Sequence, residues 1–180
     1  MKKLLFIAFV LISTFAKAQD TLYSLPEIGG KVFYEFVVDV PGKSKDFIFN
    51  AANNWMLNLP YKIKGRIENK DKDQGQILGK IGFKLSTRGN LLTPGAYSFY
   101  SCTVQIDCKD NKYRIRLFNM YYGGADFDDK TASSLDDYNE KAKTSKKEFV
   151  HQNIYDLNVC FRGISASSMA AITKAAKDDF

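Results

Sequence analysis

Residues 97–120 constrain the fold most. Tyr100, Cys102, Val104, Ile106 and Cys108 alternate with Ser101, Thr103, Gln105 and Asp107, so successive side chains fall on opposite faces of one extended strand. Asp110-Asn111 then turns the chain, and Tyr113, Ile115 and Leu117 alternate with Arg114 and Arg116 on the way back. Two such strands joined by so short a turn form an antiparallel hairpin. One face is apolar and needs a cover; the other carries charge.

The chain around the hairpin supplies that cover. Lys31–Val40 is β-branched and aromatic and reads as a strand, stopped by Pro41-Gly42. Ser44 suits a helix N-cap and Asp46 the first turn. Phe47, Ile48, Ala51, Ala52, Trp55 and Met56 then recur at helical spacing, predicting a helix over 44–57. Trp55 reads as core packing in that stripe rather than as a ligand platform. Residues 64–70 predict a short polar strand. Residues 76–85 predict an amphipathic strand, with Ile77, Gly79, Ile81, Phe83 and Leu85 on one face and Leu78, Lys80, Gly82 and Lys84 on the other. The glycines at 75, 79 and 82 read as a bulge, close backbone approach, or room for an aromatic on the facing helix. Residues 86–95 predict a loop, and residues 121–129 an irregular, glycine-broken segment. A charged helix is expected over 136–147. Apolar stripes predict helices over 143–161 and 165–177, split or kinked at Gly163. The expected class is α+β: a curled antiparallel β-sheet packed on one face by helices, in the order β-α-β-β-β-β-α.

The first residues set the expected location. Lys2 and Lys3 precede an apolar run, and Ala16-Lys17-Ala18 offers small residues at a cleavage site, the layout of a secretory signal peptide. The run is about 12 residues, against the roughly 20 of a spanning helix, so no transmembrane anchor is expected in the mature chain. Residues 1–18 are thus expected to be cleaved. Residues 19–30 are expected as an extended, loose segment, and 31–180 as one domain whose part from 121 onward is a loop plus helices. Cleavage takes Lys2, Lys3 and Lys17 from the 26 basic residues, leaving 23 against 20 acidic ones, a net charge of +3. Basic and acidic residues are interleaved, so no nucleic-acid partner is expected.

Chemistry-bearing motifs are scarce. His151 is the single histidine and reads as a packing residue on a helix. A Ser-His-Asp arrangement would need it as base, and no nucleophile-elbow or phosphate-loop motif accompanies it. Asp126, Asp128 and Asp129 form the densest acidic cluster, which reads as a solvated loop rather than a hard-cation site. Asp136 and Asp137 are equally ambiguous. Cys102 and Cys108 lie about 20 Å apart on one strand, beyond disulfide reach. Cys160 could meet either one across the core, but three buried thiols are the preferred reading. No catalytic residue, cofactor or metal ligand is assigned. A carboxylate-only enzyme using two of Glu68, Asp71 and Asp73 has nothing in the spacing to recommend it.

The segments YEFVVDVPGKSKDFIFNAANNW (34–55), KDKDQGQILGKIGF (70–83) and YSCTVQIDCKDNKYRIRLFNM (100–120) carry a family resemblance. Their shared features are a strand running into a capped helix with a late Trp, then a glycine-spaced strand, here Gly75, Ile77, Gly79 and Gly82. The chain resembles the exported bacterial domain-of-unknown-function family described as having a TBP-like (helix-grip) fold. The resemblance implies a long helix cradled by an antiparallel sheet, and export to the periplasm or beyond in a Gram-negative bacterium. It implies no activity and no catalytic residue.

The expected role is therefore non-enzymatic: a protein-interaction or accessory module of the cell envelope. The alternative is a small apolar or amphipathic ligand held between sheet and helix. Tyr121, Tyr122 and Phe127 are the candidate contacts for an envelope protein or such a ligand.

Overall fold

A computed structural model describes residues 23–60, 62–86, 97–123, 127 and 131–178. The chain begins with a miniature hairpin, β1 (Glu27–Ile28) and β2 (Lys31–Val32), joined through Gly29 and Gly30. Both glycines have positive φ, +59° and +74°, as a tight primed turn requires. Then follow β3 (Tyr34–Asp39), α1 (Lys45–Leu57), β4 (Ile63–Asp71), β5 (Gln76–Ser86), β6 (Tyr97–Lys109), β7 (Lys112–Gly123), β8 (Ala132–Ser134), α2 (Leu135–Lys143) and α3 (Glu148–Asp178). The main sheet runs β3-β7-β6-β5-β4, with β8 also pairing β7, and every pair is antiparallel.

The alternation read from β5, β6 and β7 is the one observed. Ile77, Ile81, Val104, Ile106, Ile115 and Leu117 lie buried on the helix-facing side. Ser44 caps α1, its Oγ accepting from the Phe47 N–H at 3.3 Å. Trp55 is buried, and its Nε1–H donates to Ser167 Oγ at 3.2 Å. The long helix α3 lies on the same side. Ile154, Leu157, Phe161, Ile164, Ser168 and Ile172 form its buried stripe. Tyr34 Oη–H donates to Asn158 Oδ1 at 3.0 Å, and Tyr113 Oη and Ser168 Oγ share a 3.1 Å hydrogen bond. The tyrosines of the sheet thus keep polar partners where they meet the helix, as buried hydroxyls must.

Four expectations need correction. The segment after Met120 is not irregular from Tyr121, because β7 continues to Gly123. A bulge lies opposite Ser101–Thr103, and Asn119 adopts φ +49°. One extra residue shifts the phase, so the buried Met120 takes up the inward role after Leu117 where plain alternation would place Asn119.

Gly163 does not split the last helix, which runs unbroken for 31 residues. Gly163 is exposed, and a Cβ there would meet nothing within 4 Å. Its cost is only the backbone entropy of a helical glycine. Gly163→Ala is therefore expected to stabilise the fold by about 1 kcal/mol, read as a raised urea midpoint with unchanged slope.

The charged helix ends at Lys143 rather than Lys147, with Thr144 as its C-cap. Finally, the described part of the N-terminal segment, from Tyr23, is anchored rather than loose. Leu25 is buried, its N–H donates to Asn139 Oδ1 at 2.7 Å, and Asn139 Nδ2–H donates to Leu25 O at 3.2 Å and to Glu27 Oε1.

All three cysteines are free. Burial pushes the Cys102 and Cys108 thiols up to about 12, so neither is a thiolate at neutral pH. Cys160 is half-buried rather than buried, and its thiol is raised by burial and then by Asp156.

Candidate functional site: the sheet face opposite the helices

Helices cover one side of the sheet; the opposite side carries polar and aromatic side chains by the same period of two. Cross-strand pairing sets Lys64, Gly82, Ser101 and Tyr121 in one row, and Arg66, Lys80, Thr103 and Phe118 in the next. At the first row's end of the face a cavity of about 730 Å³ opens, lined by Lys62, Lys64, Gly82, Phe83, Lys84, Tyr97 and Phe99. Tyr97 is 79% exposed, so its ring is presented to solvent instead of being folded into the core.

Gly82 makes this corner possible. A Cβ built on it would overlap the Phe99 ring and stand 2.9 Å from Phe127. Without that Cβ, the Phe99 ring packs close against β5 at residue 82 and is buried. Phe127 packs edge-on against Phe99, centroids 5.6 Å apart at 84°. The Arg66 guanidinium sits 5.6 Å from the Phe127 centroid, a cation–π distance. The glycine thus makes room for an aromatic on the neighbouring strand, not on the facing helix.

The far end of the same face is a closed polar network around Asp107. Its Oδ2 accepts from Arg116 Nη2 at 2.8 Å and from Arg114 Nη2 at 3.1 Å and Nε at 3.2 Å. Its Oδ1 accepts from Gln76 Nε2 at 2.9 Å and Gln105 Nε2 at 3.0 Å. Glu35 adds an ion pair to Arg114 at 3.6 Å. Burial by itself raises the Asp107 carboxyl, but hydrogen bonds from Gln76, Gln105 and Arg114 and the Arg116 charge together hold it below the usual carboxylate range. A depressed folded-state value means that the stabilisation is present above the unfolded-state value, near 4. It is lost as pH falls through the folded value. Wild type should therefore lose stability on acidification below about pH 4 more steeply than Asp107→Asn, measured as urea midpoints between pH 2 and 6.

The candidate contacts separate. Tyr121 and Tyr122 are consecutive on β7 and face opposite ways. Tyr122 stacks on Tyr100 at 6.3 Å and meets Tyr138 at 5.5 Å, sealing the edge of the helix-side core. Tyr121 lies on the face opposite the helices, where Phe127 also packs. The residues that shape the cavity, Lys62, Lys64, Lys84, Tyr97 and Phe99, were not among the candidates. Alternation already put Gly82 and Lys84 on the non-core face. Lys64, Tyr97 and Phe99 need the register of β4 and β6 against β5, and Lys62 lies just before β4 begins at Ile63.

The other groups considered do not converge on a reaction centre. Glu68 pairs with Arg66 at 2.9 Å, Asp71 accepts from the Gln74 N–H, and Asp73 gives its backbone carbonyl to Lys45 Nζ at 2.7 Å. His151 lies against the Tyr23 ring, centroids 4.1 Å apart. Asp136 accepts from the Val32 N–H at 2.8 Å and pairs with Lys31; Asp137 lies in the first turn of α2, where negative charge suits the helix dipole. Asp126, Asp128, Asp129 and the expected signal peptide lie outside the described residues. Among the described residues no three His, Cys, Asp or Glu side chains are grouped to hold a metal ion, and no helix is long and apolar enough to cross a membrane.

Residues 34–123 match the family described as a domain of unknown function (DUF4468) with TBP-like fold. A DUF4468 family protein from Bacteroides ovatus is similar in structure, with a TM-score of 0.60 and 19% identity, over 85% of this chain and 96% of that one. A TBP-like protein from Parabacteroides distasonis aligns with a TM-score of 0.52 and 21% identity, over 81% and 97% of the two chains. At these identities the likeness is one of fold. No curated protein matches the chain.

Proposed function

The chain belongs to the DUF4468 family of TBP-like fold, and from that premise we propose that it is a non-enzymatic interaction module of the bacterial cell envelope, meeting its partner through the sheet face opposite the helices. The observation that carries this reading is the asymmetry of the sheet. Helices seal one side, and the other side opens a cavity of about 730 Å³ between lysines and an exposed tyrosine. The signal-like residues 1–18 support export, and fold alone assigns no activity. The helix-facing side is filled by Ile48, Trp55, Ile81, Ile106, Leu157 and Phe161, each at most 4% exposed. This favours a partner on the open face over a small ligand held between sheet and helix.

Native mass spectrometry of the chain extracted from envelope fractions tests the reading. The expected result is a chain beginning at residue 19, bound to a second polypeptide that is released on denaturation. A chain that runs alone, or that carries a small molecule instead, contradicts it.

A further inference from the structure

We propose that β3, at one edge of the sheet, takes an extended segment of another protein as an added strand, and that this segment has an apolar centre flanked by basic residues. The contact is additional to the face described above and does not depend on it.

The sheet ends at β3 on one side and at β4 on the other. An edge strand presents a row of backbone N–H and C=O groups to any chain that can pair with them. The two edges differ. Along β4 run Lys64, Arg66 and Lys70, and its register against β5 shifts between Ile67 and Asn69. Cationic side chains and a bulge are the usual guards against strand addition. β3 has neither. Its six residues, Tyr34–Asp39, pair with β7 in one unbroken register and include no lysine, proline or glycine. Among the described residues no strand pairs with its other side.

The side chains of β3 are also left incomplete. On the helix side, Phe36 and Val38 are only half-buried, whereas their cross-strand partners Ile115 and Tyr113 are fully buried. On the other side, Val37 is 62% exposed between Glu35 and Asp39. A further strand covers all three apolar side chains, the arrangement of β-augmentation.

Charge selects the occupant. On the face opposite the helices, opposite charges alternate from strand to strand. Asp107 of β6 pairs with Arg114 and Arg116 of β7, and Arg114 pairs in turn with Glu35 of β3. Asp39 stands across from Lys112 of β7. A strand beyond β3 continues this order when it is basic opposite Glu35 and Asp39. A second copy of the chain fits badly, because two β3 strands paired antiparallel about Val37 set Glu35 against Asp39.

The test uses residues 19–180 and a fluorescein-labelled peptide, Thr-Lys-Val-Val-Ile-Lys-Thr. Saturable binding by fluorescence anisotropy is expected. Hydrogen exchange of the complex should show new protection of amides in residues 34–39 and none in residues 63–71. Val37→Lys, at an exposed position, should leave the chain folded by circular dichroism and weaken binding about tenfold or more. Lys70→Glu, on the β4 edge, should leave binding unchanged. A peptide N-methylated at both valines and the isoleucine keeps its side chains and charge but cannot pair as a strand, so it should not bind. Five results would overturn the proposal: no saturable binding to about 1 mM, binding that ignores Val37→Lys, equal binding by the N-methylated peptide, new protection in residues 63–71 instead, or β3 amides all protected already in the free chain. The last would mean that the chain itself or a second copy closes this edge.

Discussion

Phe161→Ala is expected to lower the unfolding free energy by about 3–5 kcal/mol. Phe161 is 0% exposed at the centre of α3. Its ring stands edge-on to Phe83 of β5, 5.5 Å away at 74°, and lies 5.5 Å from Tyr34 of β3. The side chain therefore bridges strands from opposite halves of the sheet, and its neighbours are held by strand pairing, so the cavity left by alanine cannot easily collapse. A loss of this size is a large part of the 5–15 kcal/mol that domains possess. Phe161→Leu, which keeps most of the volume, should cost about half as much. Trp55, the single tryptophan, is buried on α1 beside α3, so its fluorescence follows the transition. A loss below about 1 kcal/mol would mean that α3 is not seated on the sheet as described.

Gly79→Val is expected to destabilise by about 3 kcal/mol, although strand propensity alone favours valine. A Cβ at residue 79 falls 2.6 Å from the Arg66 carbonyl oxygen and 2.9 Å from Met56 Cε. The methionine can swing away; the backbone carbonyl of β4 is held in its ladder with β5. Adding Met56→Ala should therefore relieve only part of the loss. Equal or greater stability of Gly79→Val would contradict the close approach of β4 over β5. The contrast with Gly163→Ala separates a glycine that makes room for neighbours from one that merely interrupts a helix.

What the sequence shows of this fold depends on how local each cause is. The β6–β7 hairpin, the faces of β5 and the cap of α1 are written in periods of two and 3.6 and in single residues such as Ser44. They could be read directly, and they carry the family resemblance. The Asn139 anchor joins residues 114 positions apart in the chain, so nothing near Leu25 announces it. The bulge at Asn119 inserts a residue into the alternation, and the pattern beyond it looked like the end of the strand. Propensity at Gly163 predicts a break, and the buried stripe on either side of it overrides that preference. The candidate site was less legible still. Lys64, Lys84 and Phe99 lie on three strands and become neighbours only through register, whereas Tyr121 and Tyr122, adjacent in sequence, end on opposite faces. Aromatic richness near a loop does not separate Tyr121 and Phe127, which lie on the face opposite the helices, from Tyr122, which packs at the edge of the core.

The central claim is that the sheet face opposite the helices, not the helix face, meets the partner. Site-specific photo-crosslinking in cells tests it directly, with the photoreactive residue placed at Tyr97 in one strain and at Val159 of α3 in another. Both positions are exposed, at 79% and 53%, so neither variant should disturb folding. The account predicts a discrete crosslinked species from position 97, lost in Lys62→Glu/Lys84→Glu, and none from position 159. A crosslinked species from position 159 with none from position 97 would contradict it.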